Sequence, residues 1–357
     1  LPLLFIIVAV SASNSVIENP GCDSSKDISI RYSSTSQRIY VESVDGIRGG
    51  CVTLTDIYND LGLNGPVYPV LDEEGVWRLD ESLYIEDGIT LNVYGTGIGG
   101  DCDHLRLLSN SRGYINLRAH GGSLDFKNTT VTSWDDDTDD FDMNFEDGRS
   151  YVSCISEFLV DDTETCTGAA KSNMGECRMD IENSEMYYMG MNSAESWGVS
   201  WKLRGLCNDL SNEIEYENLG VYGNILNSDL HHLYYGHYSY GHRNGRWIGN
   251  SVHDNEVYGF DPHHGSTNLT ISGNEVYNNG NHGIIASKWC YDAVISDNYV
   301  HNNVGVGIFL HWLGDNAVVY NNRVVNNFGS GIAFLESSHA KVYSNFISGN
   351  NHGLRLS

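Results

Sequence analysis

The feature that most limits the fold is a repeat. Asn250, Asn274, Asn298 and Asn322 recur every 24 residues, and Asn345 follows 23 later. Gly259, Gly283, Gly307 and Gly331 keep the same period, and Gly353 comes 22 later. A fixed period of this length marks a solenoid, whose units bury their apolar faces against their neighbours. The unit is too short for a four-stranded propeller blade. It also carries no 3.6-residue apolar pattern long enough for paired helices. What remains is a coil of short strands joined by Asn- and Gly-bearing turns: an all-β, right-handed parallel β-helix with coils of 22–24 residues. Neighbouring parallel strands lie about 4.8 Å apart, so residues one period apart stack and function reads down columns. The Asn column has a structural explanation, because Asn tolerates tight-turn dihedrals and stacked amides hydrogen-bond from coil to coil. The Gly column is expected to mark a turn that a side chain would strain.

The 357 residues contain five prolines and no Pro/Ser-rich linker, so residues 46–357 read as one β-helical domain. Residues 1–13, LPLLFIIVAVSAS, have the length and small-residue ending of a signal-peptide apolar segment that lacks its basic start. Residues 14–45 are polar and Ser-rich and read as a flexible lead-in. The chain ends within a repeat, at NHGLRLS, which reads as a poor cap or a fragment. Eight cysteines (Cys22, Cys51, Cys102, Cys154, Cys166, Cys177, Cys207 and Cys290) contain no CxxC pair. Disulfides in an oxidising compartment therefore fit better than zinc. Asn128-Thr129-Thr130 and Asn268-Leu269-Thr270 are glycosylation sequons. Together these features point to a secreted protein of the extracellular matrix or cell wall, soluble and monomeric once processed.

The formal charge of −27 argues against nucleic acid or an anionic membrane as partner, since both need a basic footprint. It would also repel an acidic polysaccharide unless a local basic groove is present. Asp135, Asp136, Asp137, Asp139, Asp140 and Asp142 form an acidic loop around Thr138. Such a loop could hold Ca²⁺. It lacks the glycine and glutamate spacing of an EF-hand, and a solvated insertion is the simpler reading.

One coil differs from the rest. Tyr258-Gly259-Phe260-Asp261-Pro262-His263-His264 stands where later coils read GIIAS, GIFLH and GIAFL. One residue after each Gly come Phe260, Ile284, Ile308 and Ile332; three after come Pro262, Ala286, Leu310 and Phe334. Both columns are apolar and should face the core, which turns the alternate positions outward. Those outward positions gather Tyr240, Tyr258, Asp261, His263, His264, His282, Lys288, His311 and Trp312 on one strip. Imidazoles, phenols, one cation and an aromatic platform suit proton abstraction from an acidic sugar stacked on Trp312. Incidental clustering in a His-rich chain is the plain alternative. Metal binding by these histidines is disfavoured, because a parallel strip converges poorly on a tetrahedral centre.

YGFDPHH resembles the YG-x-DPH signature of mannuronan (alginate) C5-epimerases. HGIIASK at 282–288 is similar to a bacterial periplasmic epimerase segment, with Lys288 where that segment has Arg. LYYGHYSYG at 233–241 and SAESWGVSW at 193–201 also look like epimerase segments, and RAHGGSLDFKNTTVTSWD at 118–135 resembles the brown-algal branch. The resemblance implies conversion of β-D-mannuronate to α-L-guluronate within the polymer, by proton exchange at C5. It implies His263 as general base, Tyr258 as acid or relay on the opposite sugar face, Asp261 as their support and Lys288 as neutraliser of the uronate carboxylate. Tyr240, His264, His282, His311 and Trp312 would bind substrate. No cofactor is required. Lys288 is a point charge without the bidentate fork of Arg. His264 and His311 replace acidic residues of the bacterial type, which would make the groove more cationic.

A C5 proton beside a carboxylate is a very weak acid, and a fixed cation helps most as the dianion develops. If the intermediate expels the C4 oxygen instead of taking a proton, the enzyme is a polyuronate lyase. Residue types leave that alternative open, and a non-catalytic carbohydrate-binding wall protein as well.

Overall fold

A computed structural model describes residues 26–46, 48–159, 172–173, 176–205, 220–312 and 314–357. The apolar start, residues 14–25 of the lead-in, and Cys22, Cys166 and Cys207 lie outside the described residues.

Each coil spends its period on three short strands. The run from Thr270 shows the pattern: Thr270–Ser272, then Glu275–Tyr277, then Ile284–Ser287. Each strand pairs in parallel with its counterpart one period on, so Ile271 meets Ile295, Val276 meets Val300 and Ile284 meets Ile308. The stacked strands make sheets of 13, 11 and 13 strands among the described residues. The architecture is the expected parallel β-helix. β-Branched residues at the central position of each short strand point inward, and Val252, Val276, Val300 and Val324 are all fully buried. On the first sheet the inward column runs Phe260, Ile284, Ile308 and Ile332, as the period predicts. Trp201 and Trp247 fill the wider middle coils, and Trp247 stacks on Phe260 at 5.4 Å.

The turns carry two amide ladders. Asn250, Asn274, Asn298, Asn322 and Asn345 form the one visible in the sequence. Each Asn side-chain oxygen accepts both the backbone N–H and the Nδ2 of the Asn one coil earlier, at 2.9–3.0 Å. Asn255, Asn279, Asn303, Asn327 and Asn350 repeat the arrangement at the next turn. The left-handed turn dihedrals belong to the residues just before these ladders, such as Asp254, Asn278, Asn302 and Asn326. Turn tolerance is thus not the role of the ladder residues themselves; they satisfy buried donors and acceptors.

The Gly column also differs from expectation. Gly236, Gly259, Gly283, Gly307 and Gly331 are not among the positive-φ glycines. They are small because the coils press together: a Cβ on Gly259 would sit 2.4 Å from the carbonyl oxygen of Gly283. Close approach, not turn geometry, excludes a side chain here.

The lead-in is partly structured. Ile28–Ser33 and Arg38–Ser43 form an antiparallel hairpin whose second strand opens the first sheet, with Ile39 and Val41 fully buried. The coil stack therefore begins inside the segment read as flexible. Next to it the amphipathic helix Leu54–Leu61 closes the early end of the stack. Thr53 caps it, with Asp56 accepting the Thr53 backbone N–H at 2.8 Å, a capping box. At the other end the strand His352–Leu356 is exposed throughout. Cys154 and Cys177 form a disulfide and Cys51 is also disulfide-bonded, whereas Cys102 and Cys290 are free and buried. Both sequon asparagines, Asn128 and Asn268, are exposed.

Candidate active site

The distinctive coil lies in the middle of the first sheet. Strand Phe260–His263 pairs on one side with Tyr235–Tyr240 and on the other with Ile284–Ser287. The register places Tyr240 beside His263, His263 beside Ser287, and Ser287 beside His311. Tyr238 stands beside Asp261 in the neighbouring outward column. Outward alternation over this strand is what the period predicted.

One edge of the strip is imidazole-rich. His263 and His264 are hydrogen-bonded through their Nδ1 atoms, with ring centroids 4.2 Å apart. Tyr240 stacks on His264 at 4.8 Å, and Trp289 meets His264 edge-on at 5.4 Å. His311 accepts or donates to Ser287 Oγ at 3.1 Å and lies 6.0 Å from Trp312. The Lys288 ammonium sits 5.3 Å from the centre of the exposed Trp312 ring. Lys288 has no carboxylate within ion-pair distance among the described residues. It ends its strand in the left-handed region, as do His264 and Trp312 one coil to either side.

The other edge is phenolic. Tyr258 stacks on His282 at 5.5 Å and packs against Tyr235 at 5.1 Å. The Val306 backbone N–H donates to His282 Nδ1 at 2.8 Å, which leaves Nε2 as that ring's donor. His282 also meets Phe309 edge-on at 5.1 Å. Tyr238 bridges the edges, 6.1 Å from Tyr235 and 5.9 Å from His263. The rings thus run without a break from His282 through Tyr258, Tyr235 and Tyr238 to His263. Tyr258, His263 and Lys288 share one face, and all nine sequence-derived residues lie on it.

Asp261 departs from expectation. It occupies an outward position, yet only 2% of it is exposed, because Tyr238 and its neighbours cover it. Its Oδ1 has no hydrogen-bond partner. Burial holds its carboxyl well above the usual range, so it is a neutral acid. Ile285 in the same column is also buried. This column forms the floor of the strip, and the columns on either side form its walls.

The electrostatics follow from burial and from the single cation. Burial lowers His263 to about 3, helped by His264, Lys288 and His311. Burial and then Lys288 bring His264 to about 4, and burial with His311 brings His282 to about 4. His311 is lowered by burial and then by Lys288. In place of acidic residues, His264 and His311 therefore make the groove more cationic by removing negative charge, not by adding positive charge. They are neutral, and Lys288 supplies the charge. Burial raises Tyr258, with Asp261 and Tyr234 adding to it, so its phenol keeps its proton.

Sequence reading missed Tyr238 and Tyr235. The signal was present, since Tyr238 lies two residues after Gly236 as Asp261 lies two after Gly259. The same face continues over earlier coils, with Lys202 beside Tyr240 and, in the floor column, Arg118 beside Ser153. Lys202 is ion-paired with Glu195 at 3.0 Å. Arg118 is nearly buried and donates to Ser153 Oγ at 3.0 Å and to the Tyr151 hydroxyl at 3.4 Å.

The family description "Right handed beta helix region" matches residues 206–347. No curated protein matches the sequence. Among solved structures, a double mutant of the periplasmic alginate epimerase AlgG superposes with a TM-score of 0.73 at 20% identity, over 99% of this chain and 81% of that one. A single mutant of the same epimerase gives 0.70 at 22% identity, over 89% of this chain and 67% of that one. The unmutated epimerase gives 0.67 at 18% identity, over 96% and 83%. This chain shares the right-handed parallel β-helix of those structures along nearly its whole length.

Proposed function

We propose that this protein is a mannuronan C5-epimerase, converting β-D-mannuronate to α-L-guluronate within alginate. The single observation that carries the reading is the meeting of Tyr258, His263 and Lys288 on one open face around the buried acid of a DPH strand. The fold shared with a periplasmic alginate epimerase supports it.

Among the described residues of the strip, Lys288 is the one cation with no carboxylate within ion-pair distance, and it receives the uronate carboxylate. There it stabilises the charge that grows as the C5 proton leaves. His263 is neutral and takes that proton. Its basicity is low in the free protein because it is buried, with His264, Lys288 and His311 adding to the effect. A bound carboxylate offsets the Lys288 part of that shift and so strengthens the imidazole as a base. Tyr258, held protonated, delivers a proton to the other face of the sugar, and Tyr238 is the phenol packed nearest His263. Asp261, neutral beneath the phenols, supports their positions without adding a negative charge where the dianion forms. Tyr240, His264, His282, His311 and Trp312 line the sugar path. Arg118 and Lys202 carry the polar face further along the sheet, as a polymeric substrate requires. Against the repulsion expected from an acidic chain, the face offers the Lys288 ammonium amid neutral rings.

The reaction draws on side chains alone, so no cofactor is required. The Asp135–Asp137 carboxylates lie together as a Ca²⁺ candidate apart from this face, with Arg112 paired to Asp136 and Asp137 at 3.2 and 3.0 Å. We place the protein outside the cytoplasm, acting as a monomer on a matrix or cell-wall polymer. No helix among the described residues is long and apolar enough to cross a membrane.

The test is incubation with poly-mannuronate, following anomeric proton NMR and the ultraviolet absorbance of unsaturated ends together. Growth of guluronate signals without absorbance supports the epimerase. Absorbance growth assigns the same residues to β-elimination, and binding without either change assigns the face to carbohydrate recognition alone.

A further inference from the structure

A second cluster lies on the third sheet, away from the site just described. Tyr187, His231, His253, Tyr277 and His301 occupy one column. Their rings stack at 4.8, 5.1, 4.6 and 5.1 Å. Two residues before them in each strand runs a second column: Thr130, Glu185, Asp229, Ser251 and Glu275. Only at Glu185 and Asp229 do two carboxylates fall on successive rungs of this column, and there His231 stands beside them. One ligand atom each from Glu185, Asp229 and His231 lies within 4.8 Å of the other two.

We infer that Glu185, Asp229 and His231 form a binding site for a divalent first-row transition ion such as Zn²⁺. One imidazole nitrogen and two carboxylate oxygens are a donor set that such ions take. Metal–ligand bonds of about 2.0–2.2 Å put any two ligand atoms no more than about 4.4 Å apart. The present spread needs only a small closure, in which the half-exposed Glu185 side chain gives up its 3.1 Å contact with His231 Nε2 so that both atoms face the ion. Groups around the cluster orient the ligands, as metal sites require. His231 Nδ1 is 2.7 Å from His232 Nδ1, so in the bound form His231 donates from Nδ1 and presents Nε2 to the ion. His253 Nε2 lies 3.1 Å from Asp229 Oδ1, and its Nδ1 is 2.7 Å from Asp254. An open polar depression of about 560 Å³, lined by Asn128, Thr130, Glu185, Asp229 and Ser251, borders the carboxylates and admits water to the remaining coordination positions. The ion would tie together two rungs whose ligands are 44 and 46 residues apart in the chain.

Tag-free full-length protein titrated with Zn²⁺ by calorimetry, and with Co²⁺ by visible absorbance, tests this. The expected result is one ion per chain, with Co²⁺ bands typical of nitrogen and oxygen ligation and a raised melting temperature. Glu185→Gln and Asp229→Asn should each weaken binding by at least ~10-fold, while Asp136→Asn in the separate acidic loop changes nothing. Glu185→Gln keeps a partner for His231, and its circular dichroism and melting in the metal-free state report that it is folded. Absence of binding in the parent, or equal binding in a folded Glu185→Gln and in Asp229→Asn, overturns the assignment. So does loss of binding in Asp136→Asn.

Discussion

Two strips of the same solenoid carry histidines at the same period, and they give those rings opposite neighbours. On the first sheet His263, His264, His282 and His311 face one another and Lys288, and Glu336, the carboxylate that acts on His311, is outweighed there. Burial pushes all four down, with Lys288 adding to it at His263, His264 and His311, and His311 adding to it at His282. On the third sheet His231, His253 and His301 each meet a carboxylate from the column alongside. Burial works to lower His253, but hydrogen bonds to Asp229 and Asp254 outweigh it and raise it. The period supplies only the spacing. Whether an imidazole becomes a neutral base or a charged partner is decided by the residue type two positions away in the strand and one coil away in the stack.

The sharpest way to break the contrast is His263→Ala, which should lower solvent exchange at C5 by about 10²–10⁴-fold, read by deuterium incorporation into poly-mannuronate. Full exchange in the variant would give the base role to another ring. Lys288→Ala comes next. It should cut kcat by about 10²–10³-fold with a smaller change in KM, because the cation acts mainly on the developing charge. Lys288→Arg should restore much of the rate, and a rate unaffected by Lys288→Ala removes it from the chemistry.

The Asn ladder between the second and third sheets predicts a stability effect instead. Asn298→Ala leaves the Asn274 donors and the Ile271 carbonyl without their partner. It should cost about 1–3 kcal/mol in denaturant unfolding, and no loss would show that water replaces the amide. The smallest effect is the most direct test of the comparison, read from the histidine ring signals in an NMR titration. The folded pKa of His263 lies below its ordinary value of 6.5, so the native state favours the neutral ring. Its contribution to stability is present above pH 6.5 and lost as the pH falls toward about 3. His253 has the opposite sign: its contribution is full below 6.5 and lost as the pH rises through its raised folded value. At pH 5 the His263 ring should be neutral and the His253 ring charged. Two rings titrating together would erase the distinction.

The sequence carried the fold, the register of the first sheet and all nine residues of the strip, because a 24-residue period converts directly into neighbouring rungs. It misjudged what burial does. Asp261 reads as an outward carboxylate, and only the packed phenols reveal a covered acid. The glycines read as turn residues, and only the distance between coils reveals why they are bare. His311 reads as a substitute for an acidic residue, and only its surroundings reveal that it acts as a neutral ring. The cluster of Glu185, Asp229 and His231 was not legible at all. Its coils are 44 residues apart, so the repeat that exposes the later columns does not align them. The hairpin Ile28–Ser33 and Arg38–Ser43 was hidden for a related reason, since short alternating runs within a Ser-rich segment give little periodic signal.

The row of bare glycines has a consequence for how such a molecule can change length. With each Gly pressed against the carbonyl of the next rung, a partial insertion inside this strand would drive a side chain into backbone. Growth or loss must come as complete turns, or as excursions at corners. If the face binds a polymer as proposed, the span it grips is quantised in steps of one rung, and a variant with one turn duplicated beyond the coil of His263 would lengthen that track without disturbing the residues of the site.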